Sequence, residues 1–87
     1  MPVVRVLFFA RAREVAARRD DTIDAATLAE LLAIARDRYG ADFGAVLDAS
    51  RVWVNGDEPE RGLATTLAAG DEVAVLPPVS GGAVATC

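Results

Sequence analysis

Residues 3–9, Val-Val-Arg-Val-Leu-Phe-Phe, are rich in β-branched and aromatic side chains and read as a first strand. Alternation puts Val4, Val6 and Phe8 on one face and Val3, Arg5, Leu7 and Phe9 on the other. An arginine is rarely buried without a partner, so the Arg5 face is expected to look outward, carrying Leu7 and Phe9 with it. Residues 10–17 are alanine- and arginine-rich and suit a short helical turn, and 18–23 predict a weaker strand with Asp20-Asp21 as its turn. Thr27-Leu28-Ala29-Glu30 matches a capping box, opening a helix over 28–39 that Gly40 stops. Leu28, Leu31, Leu32 and Ala35 form its apolar stripe, with Tyr39 a turn further on, and Arg36 and Arg38 sit near its negative end.

After Gly40 the periodicity weakens. Residues 43–47 predict a loop or short turn that drops Phe43, Val46 and Leu47 into the core. Residues 51–54 are a strand with Val52 and Val54 inward and Trp53 on the side of Arg51, and Asn55-Gly56 is a strong turn signal. Residues 57–69 look irregular, anchored by Leu63 and Leu67, and 72–76 form the last strand with Val73 and Val75 inward. One main helix can cover one face of a small mixed sheet while the other faces water. That is an α+β fold of the β-grasp type, the architecture of ubiquitin. Its open face would carry Leu7, Phe9, Trp53 and Leu76, enough apolar surface on so small a domain to predict a docking patch. A one-residue slip in register would instead bury all four.

With 87 residues, the chain predicts one domain, and 53% apolar residues predict that it folds. No apolar stretch is long enough to span a bilayer and no charged n-region precedes a hydrophobic run, so a cytoplasmic location and no membrane partner are expected. Histidine is absent and Cys87 is the lone cysteine, which excludes histidine-based catalysis, the commonest zinc sites and a multi-cysteine metal site. The net charge is −4 and all nine basic residues are arginine, a poor balance for binding nucleic acid. Cys87 has no neighbouring base or cation to lower its pKa and reads as incidental.

The end of the chain is distinctive. Pro77 and Pro78 lack N–H groups and cannot continue a ladder, so the backbone leaves the last strand extended. Val79 and Ser80 then lead to Gly81 and Gly82, which have no Cβ and suit a narrow tunnel better than a packed surface. A frayed terminus would look similar.

The order Val6-Leu7-Phe8-Phe9-Ala10 with Arg13-Glu14, Val54-Asn55-Gly56, Gly70-Asp71-Glu72-Val73-Ala74 and Leu76-Pro77-Pro78-Val79-Ser80-Gly81-Gly82 resembles the ubiquitin-like sulfur carriers. Within them it resembles the small subunit of molybdopterin synthase, the MoaD-like branch, with the thiamine-pathway carriers as the neighbouring branch. The resemblance implies that an activating enzyme adenylates the Gly82 carboxylate with ATP and that sulfur transfer then makes a thiocarboxylate. The large synthase subunit would use that sulfur to build the dithiolene of molybdopterin. By the same resemblance Gly81 lets the arm thread and Phe9 and Leu76 meet the partner; Arg13 is a candidate polar rim contact, with a plain solvated helix charge as the competing reading. The chain would be a co-substrate with no permanently bound cofactor, not a catalyst by itself.

The sequence departs from that pattern by continuing Ala83-Val84-Ala85-Thr86-Cys87, which leaves Gly82 with an amide where adenylation needs a carboxylate. Residues 1–82 then form the domain with its Gly-Gly arm, and 83–87 an extension that a metalloprotease would remove. A tail foreign to the family, or a copy that has lost carrier function, would give the same residues. Other pathways receiving the sulfur (thiamine, cysteine or a secondary metabolite), a protein modifier conjugated through Gly82, and a non-covalent β-grasp binding module are the competing readings.

Overall fold

The computed structural model describes residues 2–78, so Val79, Ser80, Gly81, Gly82 and the extension 83–87 lie outside the described residues. The elements run β1 (Val3–Phe8), α1 (Ala10–Ala16), β2 (Asp20–Asp24), α2 (Leu28–Tyr39), α3 (Ala41–Asp48), β3 (Arg51–Val54), a 3-10 turn (Gly62–Ala64) and β4 (Glu72–Leu76). The sheet order is β2-β1-β4-β3. β1 pairs parallel with β4 and antiparallel with β2, and β3 pairs antiparallel with β4. This is the expected β-grasp sheet; among the described residues the main helix α2 is joined by α1, where a short helical turn was expected, and by α3, where a loop or turn was expected.

The alternation of β1 and β4 decides which face is covered. Val4, Val6, Val73 and Val75 are fully buried and Phe8 nearly so. Against them pack Leu28, Leu31 and Ala35 of α2, Ala12 of α1, and Phe43 and Leu47 of α3. Phe8, Tyr39 and Phe43 form an aromatic triangle with centroids 5.2–5.5 Å apart, Phe8 meeting each of the others edge to face.

α2 begins and ends where its capping residues demand. Thr27 Oγ1 accepts from the Glu30 N–H at 3.2 Å, and Glu30 Oε1 reaches back to the Ala26 N–H at 2.9 Å, one residue earlier than the usual reciprocal cap. Gly40 ends it at φ 94°, ψ −173°, a conformation that side chains resist.

Three local expectations are corrected. Asp20 and Asp21 are not a turn but open β2, where they pair with Leu7 and Val6. The Asp21 side chain is buried and held by α2: its Oδ2 accepts from Tyr39 Oη at 2.5 Å and Arg38 Nη1 at 2.6 Å. A buried carboxylate with two such donors is stable inside a strand, and that compensation comes from a remote helix. Residues 43–47 are helical, within α3, because Arg36 reaches from α2 to the Gly44 carbonyl and to Asp48 Oδ1. Leu63 is no anchor; it is 58% exposed, whereas Leu67 is buried as expected.

Candidate functional site

The uncovered face of the sheet is assembled from the odd-numbered side of β1 and its cross-strand neighbours. Register places Asp20, Leu7, Ala74 and Trp53 in one row across all four strands, and Thr22, Arg5 and Glu72 in the next. Arg51 pairs with Leu76 at the far end of β3 and β4. Leu7, Trp53 and Leu76 are half-buried, while Phe9 is 45% exposed. The four apolar residues expected on the open face are therefore brought to it, and the one-residue slip is excluded by the complete burial of Val4, Val6, Val73 and Val75.

Phe9 lies just past β1 as the residue capping α1, still extended at φ −118°, ψ 153°, so it keeps the side of Leu7. Its N–H donates to the Val75 carbonyl at 3.3 Å, and its own carbonyl accepts from Ala12 and Arg13. Ala10, at φ 49°, makes the bend from strand to helix. Arg13, one turn into α1, lines with Phe9, Leu7, Arg5 and Arg19 a shallow depression of 280 Å³. Polar rim and apolar centre thus adjoin, an arrangement common in protein interfaces.

The face is also charged at one edge. Arg5 Nη2 sits 3.1 Å from Asp20 Oδ2 and Nη1 3.8 Å from Glu72 Oε2, both on exposed side chains. At the opposite side, Trp53 Nε1 is buried and has no hydrogen-bond partner among the described residues. Ala74, which alternation in residues 72–76 puts on the outward side, sits between Leu7 and Trp53 and lowers the centre of the patch; strand order sets that position.

β4 leads to the exit at Pro77 and Pro78. Asn55 and Gly56 turn at φ 53° and 85°, and the Asn55 side chain then bridges to Asp71 and the Glu72 N–H at 3.1 and 2.9 Å, fixing where β4 starts. β4 runs parallel to β1, so its end, Leu76, emerges beside Phe9. Pro77 is buried and Pro78 exposed, so the backbone is held where it leaves β4. Among the described residues no cluster of three or more His, Cys, Asp or Glu side chains could hold a metal, and no helix is long and apolar enough to cross a membrane.

The buried Asp21 lies on the other face and contributes rigidity. Burial raises its pKa, but hydrogen bonds from Tyr39, Arg38 and the Thr22 N–H outweigh that and hold it below the usual carboxylate value. Tyr39 is pushed up by burial and by its bond to Asp21.

Half-buried Leu7, Trp53 and Leu76 and exposed Phe9 thus sit beside the exit marked by Pro77 and Pro78. The ThiS family model matches residues 6–82. The chain belongs to the ThiS family. Small archaeal modifier protein 1 from Methanosarcina acetivorans superposes on this ThiS-family chain with a TM-score of 0.83 at 27% identity, covering 93% of this chain and 97% of that one. Its counterpart from Haloferax volcanii is 31% identical over 91% of this chain and 98% of that one, with a TM-score of 0.74. A chain from the complex of subunits 1 and 2 of molybdopterin-converting factor from Helicobacter pylori 26695 is 28% identical, with a TM-score of 0.71, covering 88% of this chain and 95% of that one. No curated protein matches the chain. The fold is that of the ubiquitin-like sulfur carriers.

Proposed function

We propose that this chain is a sulfur carrier acting through Gly82, with molybdopterin synthesis as the receiving pathway. The observation that carries the reading is the family match, which ends on Gly82, the second glycine of the arm. Residues 83–87 fall beyond it and are removed by a metalloprotease before the carrier acts. The freed Gly82 carboxylate oxygen attacks the α-phosphorus of ATP on an activating enzyme and pyrophosphate leaves. A sulfur nucleophile then displaces AMP from the acyl-adenylate, and the product is a thiocarboxylate. Without adenylation the carboxylate has no adequate leaving group.

The open face docks the partners, with Phe9, Leu76, Leu7 and Trp53 as the apolar contact and Arg13 at its rim. Pro77, Pro78, Val79 and Ser80 project the two glycines into a tunnel that side chains would block. A synthase large subunit as sulfur acceptor is supported by the likeness to a chain in the complex of subunits 1 and 2 of molybdopterin-converting factor. A second reading, a modifier joined through Gly82 to a target lysine, is supported by the likeness to small archaeal modifier protein 1.

The test is ATP–pyrophosphate exchange with the cognate activating enzyme, comparing the full chain with one ending at Gly82. Exchange only in the shorter chain is expected. Equal exchange in both would overturn the processing step, and none in either would overturn the carrier reading. Mass spectrometry after incubation in cell extract separates the two outcomes of activation: a thiocarboxylate gain for the carrier, larger covalent adducts for the modifier.

A further inference from the structure

Charge is spread unevenly along the chain. Residues 5–19 hold five of the nine arginines but one of the 13 carboxylates, a positive stretch in a chain of net charge −4. Three of those arginines, Arg5, Arg13 and Arg19, line the 280 Å³ depression beside the open face. Leu7 and Phe9 give that depression an apolar side, and Asp20 is the one carboxylate in its lining.

The nearby carboxylates are already engaged. Asp20 holds Arg5 at 3.1 Å, and Glu72 lies 3.8 Å from the same guanidinium. Asp21 is buried and binds Arg38 at 2.6 Å and Arg18 at 3.7 Å. Glu14, although next to Arg13 in sequence, lines a different groove, between α1 and α3. Arg13 and Arg19 are exposed and, among the described residues, form no ion pair. Their backbones are nonetheless fixed against the end of β1. The Phe8 N–H donates to the Arg19 carbonyl at 2.8 Å, and the Arg13 N–H donates to the Phe9 carbonyl at 3.4 Å. A single exposed charge contributes little. Two guanidiniums placed around an apolar centre are suited to gripping carboxylates in an interface, each with a planar fork of donors.

We propose that this depression receives an acidic segment of a partner protein, with one large apolar side chain against Phe9 and Leu7 and flanking carboxylates on Arg13 and Arg19. The complementarity is local, and that decides the class of partner. A long polyanion such as RNA would meet the repulsion of a chain of net charge −4. A short acidic segment meets the two arginines and little else, because more distant surface charges are screened. The inference deepens the proposed docking on the open face, and it rests on that reading only for which protein supplies the segment.

The test titrates the full chain, followed by ¹⁵N NMR, with a capped Glu-Leu-Glu-Glu peptide and with Lys-Leu-Lys-Lys as its control. The glutamate peptide should shift the amides of Leu7, Phe9, Arg13 and Arg19 saturably, and bind less tightly as salt rises. Arg13→Gln with Arg19→Gln, both at exposed positions, should weaken that binding roughly tenfold, the scale of one lost hydrogen bond to a charged group. Arg61→Gln, away from the depression, should leave it unchanged. Equal shifts with the lysine peptide, shifts centred elsewhere, or no shifts would overturn the proposal. So would tighter binding of an oligouridylate than of the glutamate peptide, since that would assign the arginines to nucleic acid. Pyrophosphate exchange is read separately, so a failed carrier reading and a failed acidic partner give different results.

Discussion

The N–H of Phe9 donates to the carbonyl of Val75 at 3.3 Å, and this bond extends the β1–β4 pairing one residue past the end of β1. It stations the exposed Phe9 ring next to Leu76, where β4 gives way to the two prolines. The open face and the exit at Pro77 are thereby held together by backbone geometry, and under the proposed function a partner on that face would stand beside the exit.

Phe8 and Phe9 are adjacent in sequence and should respond in opposite ways. Phe9→Ala is expected to weaken partner binding by ~2 kcal/mol or more, as truncation of an aromatic anchor does, with little change in melting temperature. Phe8, 2% exposed and packed edge to face on Tyr39 and Phe43, should instead cost ~3–5 kcal/mol of stability when cut to alanine. Calorimetric titration and thermal melts on both variants check the pair. A destabilised Phe9→Ala would show that its ring is part of the core.

Asp21 should give stability a specific acid dependence. Its native pKa is lowered below 3.8, so its contribution is full above the unfolded-state value, about 3.9, and is lost as pH falls through the native one. Asp21→Asn should cost about 1.5–3 kcal/mol at neutral pH, with the gap to the parent narrowing below about pH 4. Tyr39 acts at the other end: its raised pKa makes the neutral hydroxyl the stabilising form, so that contribution is full below the unfolded-state value, about 10, and is lost as pH rises from there through the higher native one. Tyr39→Phe should flatten the alkaline limb. Urea denaturation across pH measures both.

Gly40 joins α2 to α3 at φ 94°, ψ −173°, with open space where a Cβ would stand. Gly40→Ala should therefore cost ~1–3 kcal/mol through backbone conformation alone. A loss well below 1 kcal/mol in denaturant would mean that the α2–α3 corner relaxes to another geometry.

Arg5 lies between two carboxylates, yet all three side chains are about half exposed. Solvent screening should keep the effect of Arg5→Gln on stability within ~1 kcal/mol. A larger loss in thermal melts would show that the charged row holds β2 to the sheet.

The sequence alone determined the features whose causes are local. Thr27, Glu30 and Gly40 set the ends of α2, since capping depends on residues within one turn. The alternation in β1 and β4 chose the buried face, because successive side chains in a strand must point oppositely. Asn55-Gly56 marked its turn, and Pro77-Pro78 the end of β4.

Only the tertiary structure decided the rest. Asp20-Asp21 has the composition of a turn, and it becomes strand because β1 supplies the ladder and Arg38 and Tyr39, seventeen and eighteen residues away, compensate the buried carboxylate. Residues 43–47 carry a glycine and little helical pattern; contact with α1 and the Arg36 bridge from α2 hold them helical. Leu63 looked like an anchor by its chemistry, but no element closes over it, and Leu67 fills the core in its place. The open face itself needed both levels. Alternation assigned its side chains to one surface, and the parallel pairing of β1 with β4 brought Leu7, Ala74 and Trp53 into one row, because sheet order is set by contacts far apart in the chain.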